Sequence, residues 1–211
     1  MLPSGAALAT FLLASLALNF VPGPDMLFII ARAVGQGRRA GAVAALGIGA
    51  GIIVHILAAT LGLAALLELA PLAYLAIKYA GAAYLLSIGI RLLIDRSAAA
   101  PAARLAPVPL WTIFRQGAVT NILNPKIALF FLAFLPQFVD HGAAASPAEQ
   151  MLALGGLFDV GGTAINLAIG CGFGLAGDWL RRRPAIWKAQ RWLTGGIFIG
   201  LALRLAVPER R

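Results

Sequence analysis

Val21-Pro22-Gly23-Pro24-Asp25 interrupts a run that is otherwise apolar from Ala6 to Ala31. About 20 apolar helical residues span a bilayer, so the run is long enough to cross one. Its middle cannot stay helical, because proline lacks the amide hydrogen and its ring collides with the preceding turn. The reading is a broken span. Irregular backbone at membrane depth persists only where protein or a polar cavity surrounds it, and a carboxylate facing lipid there is costly. Asp25 therefore marks a pathway or a binding site.

Composition places the whole chain in the same class. Of its 211 residues, 61% are hydrophobic and 12% charged, with a mean hydropathy of +0.89; soluble domains run at roughly 45–50% apolar and about 25% charged. The net charge of +9 sits in the gaps between apolar runs, where basic residues fix topology and meet anionic headgroups instead of nucleic acid. Cys171 stands alone in an apolar segment, which leaves no disulfide framework and no cysteine metal site. Met1 to Gly5 carries no Lys or Arg, so the first run reads as a retained span and not a signal peptide.

Ionisable residues delimit the remaining spans. After the basic stretch Arg32 to Arg39 come runs at Ala40–Leu67, Leu72–Ile94, Thr112–Val139, Ala148–Gly177 and Trp192–Val207. The fold class is an all-α polytopic membrane protein of six transmembrane helices, with helices 1 and 4 broken at their proline motifs. The fourth run carries Asn121-Ile-Leu-Asn124-Pro125-Lys126 at its centre. Loops one-to-two, three-to-four and five-to-six are basic and the other two are not. The positive-inside rule puts the basic loops in the cytoplasm and both termini outside, although Arg204, Arg210 and Arg211 weigh the other way.

An odd number of spans in each half inverts the second half relative to the first. The chain reads as one transmembrane domain, residues 1–211, with repeat 1 at about 1–96, a cytoplasmic linker at about 97–111 and repeat 2 at about 112–211. Pro24 and Pro125 break the first span of each half, 101 positions apart, and Gly51-x-x-x-His55 is matched by Gly155-x-x-x-Asp159, 104 apart. Inverted repeats build substrate sites where broken helices meet near the midplane. Each break exposes amides that attract a carboxylate and carbonyls that attract an ammonium group. Asp25 and Lys126 add opposite full charges, a combination suited to a zwitterion.

Pro22-Gly23-Pro24-Asp25, Gly47-x-x-x-Gly51-x-x-x-His55, Lys78-Tyr-Ala-Gly81-Ala-Ala-Tyr84-Leu and Asn121 to Lys126, continuing through Phe134-Leu-Pro136-Gln137-Phe138, together resemble the LysE/RhtB family of bacterial amino-acid exporters over essentially the whole chain. The resemblance implies multi-pass placement in the bacterial inner membrane and proton-driven export of amino acids or derivatives. It lies nearer the RhtB-like group, associated with homoserine, threonine and other neutral amino acids. Implied partners are the amino acid, protons and the lipid bilayer, with a homodimer permitted by the glycine-rich second span. No cofactor, catalytic residue or metal ligand is expected.

The candidate translocation residues are Asn19, Pro22, Gly23, Pro24, Asp25, His55, Asn121, Asn124, Pro125, Lys126 and Asp159. Each has a plainer reading. Asp25 can stabilise a helix start, Lys126 can snorkel, and Gly47, Gly49 and Gly51 can serve close helix packing. The asparagines, Asn166 among them, can satisfy backbone freed by the breaks. His55 and Asp159, as repeat counterparts, are expected near one another as a proton relay. Two other functions compete with export. Metal or inorganic-ion efflux lacks a ligand cluster at suitable spacing, and an intramembrane enzyme lacks a placed nucleophile or metal triad. No glycine loop for nucleotide phosphates is present.

Overall fold

Prolines and glycines set the helix boundaries. The computed structural model of the chain describes residues 5–20, 23–63, 71–94, 107–140 and 142–181, and residues 192, 196, 199, 200, 202 and 203 near the C-terminus. Helix α1 spans Gly5–Phe20 and α2 spans Pro24–Gln36. Gly23, extended at φ −150°, caps α2, and Pro24 takes its first position, where a missing amide hydrogen costs no bond. Gly37 alone separates α2 from α3, Arg38–Ala58. Its φ of +83° is a left-handed conformation open to glycine. The helix continues through a π-helical turn, Ala59–Leu63.

Helix α4 spans Pro71–Ile94 and α5 spans Leu110–Ile122. After the break comes α6, Pro125–Leu129, which runs on through a π turn, Phe130–Phe134, and a 3-10 turn, Leu135–Phe138. Helix α7, Pro147–Arg181, begins at a capping box: the Ser146 amide donates to Glu149 Oε2 at 2.8 Å and the Glu149 amide to Ser146 Oγ at 3.3 Å.

By length and composition α3 and α7 are able to cross a membrane, over Arg38–Leu61 and Pro147–Leu175, and each bent pair makes a further candidate. The bend is 50° between α1 and α2 and 47° between α5 and Pro125–Phe138. The breaks expected at the two proline motifs thus fall where the sequence places them. The sixth span is described only at its scattered helical residues; Pro22, most of the linker, His141, and Arg182 and Arg183 lie outside the described residues.

Helix α3 is the centre of the packing, lying along α5 and α7. Its glycines make that possible. A Cβ on Gly41 would stand 2.6 Å from the Gly170 carbonyl oxygen of α7, and one on Gly51 would stand 2.7 Å from the Ala118 oxygen of α5. From the facing helix, a Cβ on Gly117 would lie 2.9 Å from the Ala44 oxygen. These approaches fit the reading that the α3 glycines serve close packing, by which small residues let helices associate in lipid. Below them, Phe130 stacks on Phe158 at 4.8 Å and Phe11 meets Phe138 edge-on at 5.3 Å, geometries that aromatic rings favour.

Gly41→Val is expected to lower the stability of the detergent-solubilised protein by about 3 kcal/mol or more, since the facing backbone cannot yield to an added side chain. Gly172, with nothing within 4 Å of its added Cβ, is the matched control. Gly172→Val should shift the melting temperature little, and equal shifts in a thermal-unfolding assay would contradict the packing assigned to α3.

Candidate functional site

The start of α2 meets the end of α5. Asn121 and Asn124 donate through their Nδ2 atoms to Asp25 Oδ2, at 2.9 and 2.8 Å. Asn124 is fixed in that pose by a second duty. Its Oδ1 accepts from the Lys126 amide at 3.0 Å, capping α6, and this turns its amide nitrogen toward Asp25. Asn121 is held through its main chain, whose carbonyl lies 3.0 Å from His55 Nε2; the His55 ring stacks on Phe131 at 6.1 Å.

The other break repeats the arrangement in reverse. Lys126, at the start of α6, places Nζ 3.5 Å from the Leu18 carbonyl oxygen near the end of α1. The last carbonyls of a helix lack intrahelical donors, and its C-terminal end favours a cation. Gly23 makes room for the lysine: a Cβ there would stand 3.2 Å from Nζ. Each half-helix therefore opens with a proline and a charged residue, and each charged side chain reaches the end of the half-helix that opens the other half.

Asp25 and Lys126, each 6% exposed, line one small cavity. Asn19 and Asn166 supply the rest of its polar wall, and Met26, Ile48, Ile52 and Ile127 its apolar wall. Its volume is about 10 Å³, room for roughly one water molecule. Within it the carboxylate is half satisfied. Oδ2 of Asp25 has two donors, whereas Oδ1 is buried with no hydrogen-bond partner among the described residues, as is Asn121 Oδ1. A buried acceptor left unpaired costs about 1–3 kcal/mol, and more when charged. That cost would be relieved by a donor entering from the cavity.

The remaining candidates fall nearby but apart from this cavity or at its edge. Asn19 lines it while donating to the Ser15 carbonyl at 2.9 Å. Asp159 accepts from Thr163 Oγ1 at 3.0 Å and lies toward Gly49 of α3. No hydrogen bond joins it to His55 among the described residues, so the two repeat counterparts have different neighbours. Pro24 and Pro125 hold the turns, and Pro22 lies outside the described residues. No group of three or more His, Cys, Asp or Glu with the makings of a metal site occurs among the described residues.

Two features escaped the sequence reading. The apolar wall carries a signal after the fact, since Met26 and Ile127 each directly follow the charged residue of a break, and Ile48 and Ile52 stand one turn apart beside the packing glycines. The second is a buried polar cluster, in which Arg32 donates to Gln36 Oε1 at 3.0 Å and Gln116 Oε1 at 2.8 Å, and Gln36 to the Val108 carbonyl at 2.8 Å.

Comparison with known proteins adds an independent finding. The sequence profile of the LysE type translocator family matches residues 16–209. An uncharacterized membrane protein of Pseudomonas aeruginosa is 34% identical over 203 residues, covering 93% of each chain. Leucine efflux proteins of Enterobacter sp. and Salmonella typhimurium are 30% and 29% identical, covering 93% and 95% of this chain and 93% and 94% of their own. No solved structure matches the chain.

Proposed function

This chain belongs to the LysE type translocator family of multi-pass membrane proteins, and from that premise we propose that it exports amino acids from the cytoplasm across the bacterial inner membrane. The preferred cargo is a neutral amino acid with an aliphatic side chain. One observation carries the reading: Asp25 and Lys126, from opposite breaks, share a cavity in which Asp25 Oδ1 has no hydrogen-bond partner among the described residues. A single acid and a single base match the two charges of a zwitterion and leave no counter-charge for a charged side chain. Met26, Ile48, Ile52 and Ile127 offer that side chain an apolar wall. The leucine efflux relatives are consistent with such a cargo.

The reciprocal contacts of the two breaks support an inverted repeat in which Pro24 and Asp25 answer to Pro125 and Lys126. At about 10 Å³ the cavity is too small for an amino acid, so transport needs the halves to part on one side and then the other. Asp25 supplies a reason for proton coupling. The same oxygen accepts either the cargo's ammonium or a proton, and occupancy by one excludes the other. Release outside followed by protonation then resets the carrier.

Purified protein in liposomes, given an imposed pH gradient and a panel of labelled amino acids, tests this. Aliphatic neutral amino acids should move at least about tenfold faster than lysine or glutamate, since an unpaired buried charge costs several kcal/mol. Their flux should fall when the gradient is collapsed. Absence of gradient-dependent flux for every amino acid would overturn the reading.

A further inference from the structure

Alongside the central cavity runs a second, much larger one. Thr112, Arg115, Gln116, Val119 and Thr120 recur on α5 at spacings of three and four and so share a face. With Phe28 of α2 they line a cavity of about 510 Å³, well inside the range of small-molecule sites, about 300–1,000 Å³. Arg115 is exposed in this groove and has no hydrogen bond, ion pair or ring contact with any described residue, whereas Arg32, the buried cation of this seam, is tied to Gln36 and Gln116 and lies 5.6 Å over the Phe28 ring.

The groove also leads to the site. Helices α2 and α5 run antiparallel, so the pair that joins Asp25 to Asn121 and Asn124 at one end joins Arg32 to Gln116 and Gln36 to Val108 toward the other. Phe28 is three residues from Asp25, and Thr120 adjoins Asn121. The far end abuts Gly37 and the basic pair Arg38 and Arg39, the side that charge bias assigns to the cytoplasm.

We propose that this groove is an antechamber, a second binding site in which Arg115 takes the α-carboxylate of a free amino acid from the cytoplasm before the cargo passes to Asp25 and Lys126. It rests on the export reading above. An arginine near a span end also snorkels to headgroups, but snorkelling requires neither a cavity nor the polar stripe of Thr112, Gln116 and Thr120. Arginine suits a carboxylate because its planar fork donates two parallel hydrogen bonds. Thr120 Oγ1 donates to the Gln116 carbonyl at 2.7 Å, which leaves the oxygen's lone pairs to accept from an ammonium group.

The test is thiol accessibility in vesicles, with Cys171→Ser removing the single native cysteine and Val119→Cys reporting on the groove. Anionic and cationic membrane-impermeant methanethiosulfonates are applied from either face. Reaction is expected from the cytoplasmic face, roughly tenfold faster for the anionic reagent, the order of effect a charged cleft has on encounter rates. Arg115→Gln should erase that preference. The best-transported amino acid should slow labelling, and do so only while Arg115 is present. Reaction with neither reagent, reaction confined to the outer face, a rate indifferent to reagent charge, or protection by phosphatidylglycerol in place of amino acid would each overturn the antechamber. Flux in the parent liposomes is scored separately, so the antechamber can fail while export stands.

Discussion

Asp25→Asn should lower amino-acid efflux by at least about 30-fold while leaving the helices folded. The replacement keeps the shape of the side chain and an oxygen for Asn121 or Asn124 to donate to, so the contact between α2 and α5 has a substitute. It removes the charge that would meet the cargo's ammonium. Truncating one member of a desolvated charge pair costs about 2–5 kcal/mol, and each 1.4 kcal/mol is tenfold. Residual flux should also lose its response to a pH gradient, because the oxygen that alternates between ammonium and proton is gone. Near-normal flux in the variant would remove Asp25 from the pathway.

Lys126→Gln should be as damaging to transport and more damaging to the fold. The lysine supplies the positive charge beside the Leu18 carbonyl and shares the cavity of Asp25. Removing one partner of a buried charge pair typically costs 3–5 kcal/mol, because the other charge stays buried without compensation. Combining Lys126→Gln with Asp25→Asn removes both charges. The double variant should regain most of the lost thermal stability, as a double-mutant cycle measures, yet transport nothing. Stability that simply adds, or flux that returns with stability, would show that the two residues do not act on one cargo.

The breaks were legible because proline acts on its own backbone. Pro24 and Pro125 stop a helix whatever surrounds them, and the glycines of α3 announced close packing by type alone. What escaped depends on contacts distant in sequence. Asn121 and Asn124 stood among four asparagines with a plain backbone role open to each, and only the crossing of α2 with α5 brings them to Asp25. By type alone Ile48 and Ile52 do not distinguish a cavity wall from core, and Gln36 and Gln116 gain meaning only where they close on Arg32.

His55 and Asp159, expected near one another as a proton relay, are joined by no hydrogen bond among the described residues. The proline motifs repeat at 101 positions and the His55/Asp159 pair at 104. The difference of three residues falls in the connections between spans, which run through Gly37 alone in the first half and through residues 139–146 in the second. His55 settles on the Asn121 carbonyl and Asp159 on Thr163.

Binding to the purified protein of the best-transported amino acid, its amide and its deaminated acid measures the role of the two charges most directly. The intact zwitterion should bind at least about 30-fold tighter than either analogue, the equivalent of roughly 2 kcal/mol for each charged contact. Asp25→Asn should erase only its advantage over the deaminated acid, and Lys126→Gln only its advantage over the amide. Equal affinity for all three, or analogue preferences that neither substitution changes, would mean that the crossing of the two broken helices is not where the cargo binds.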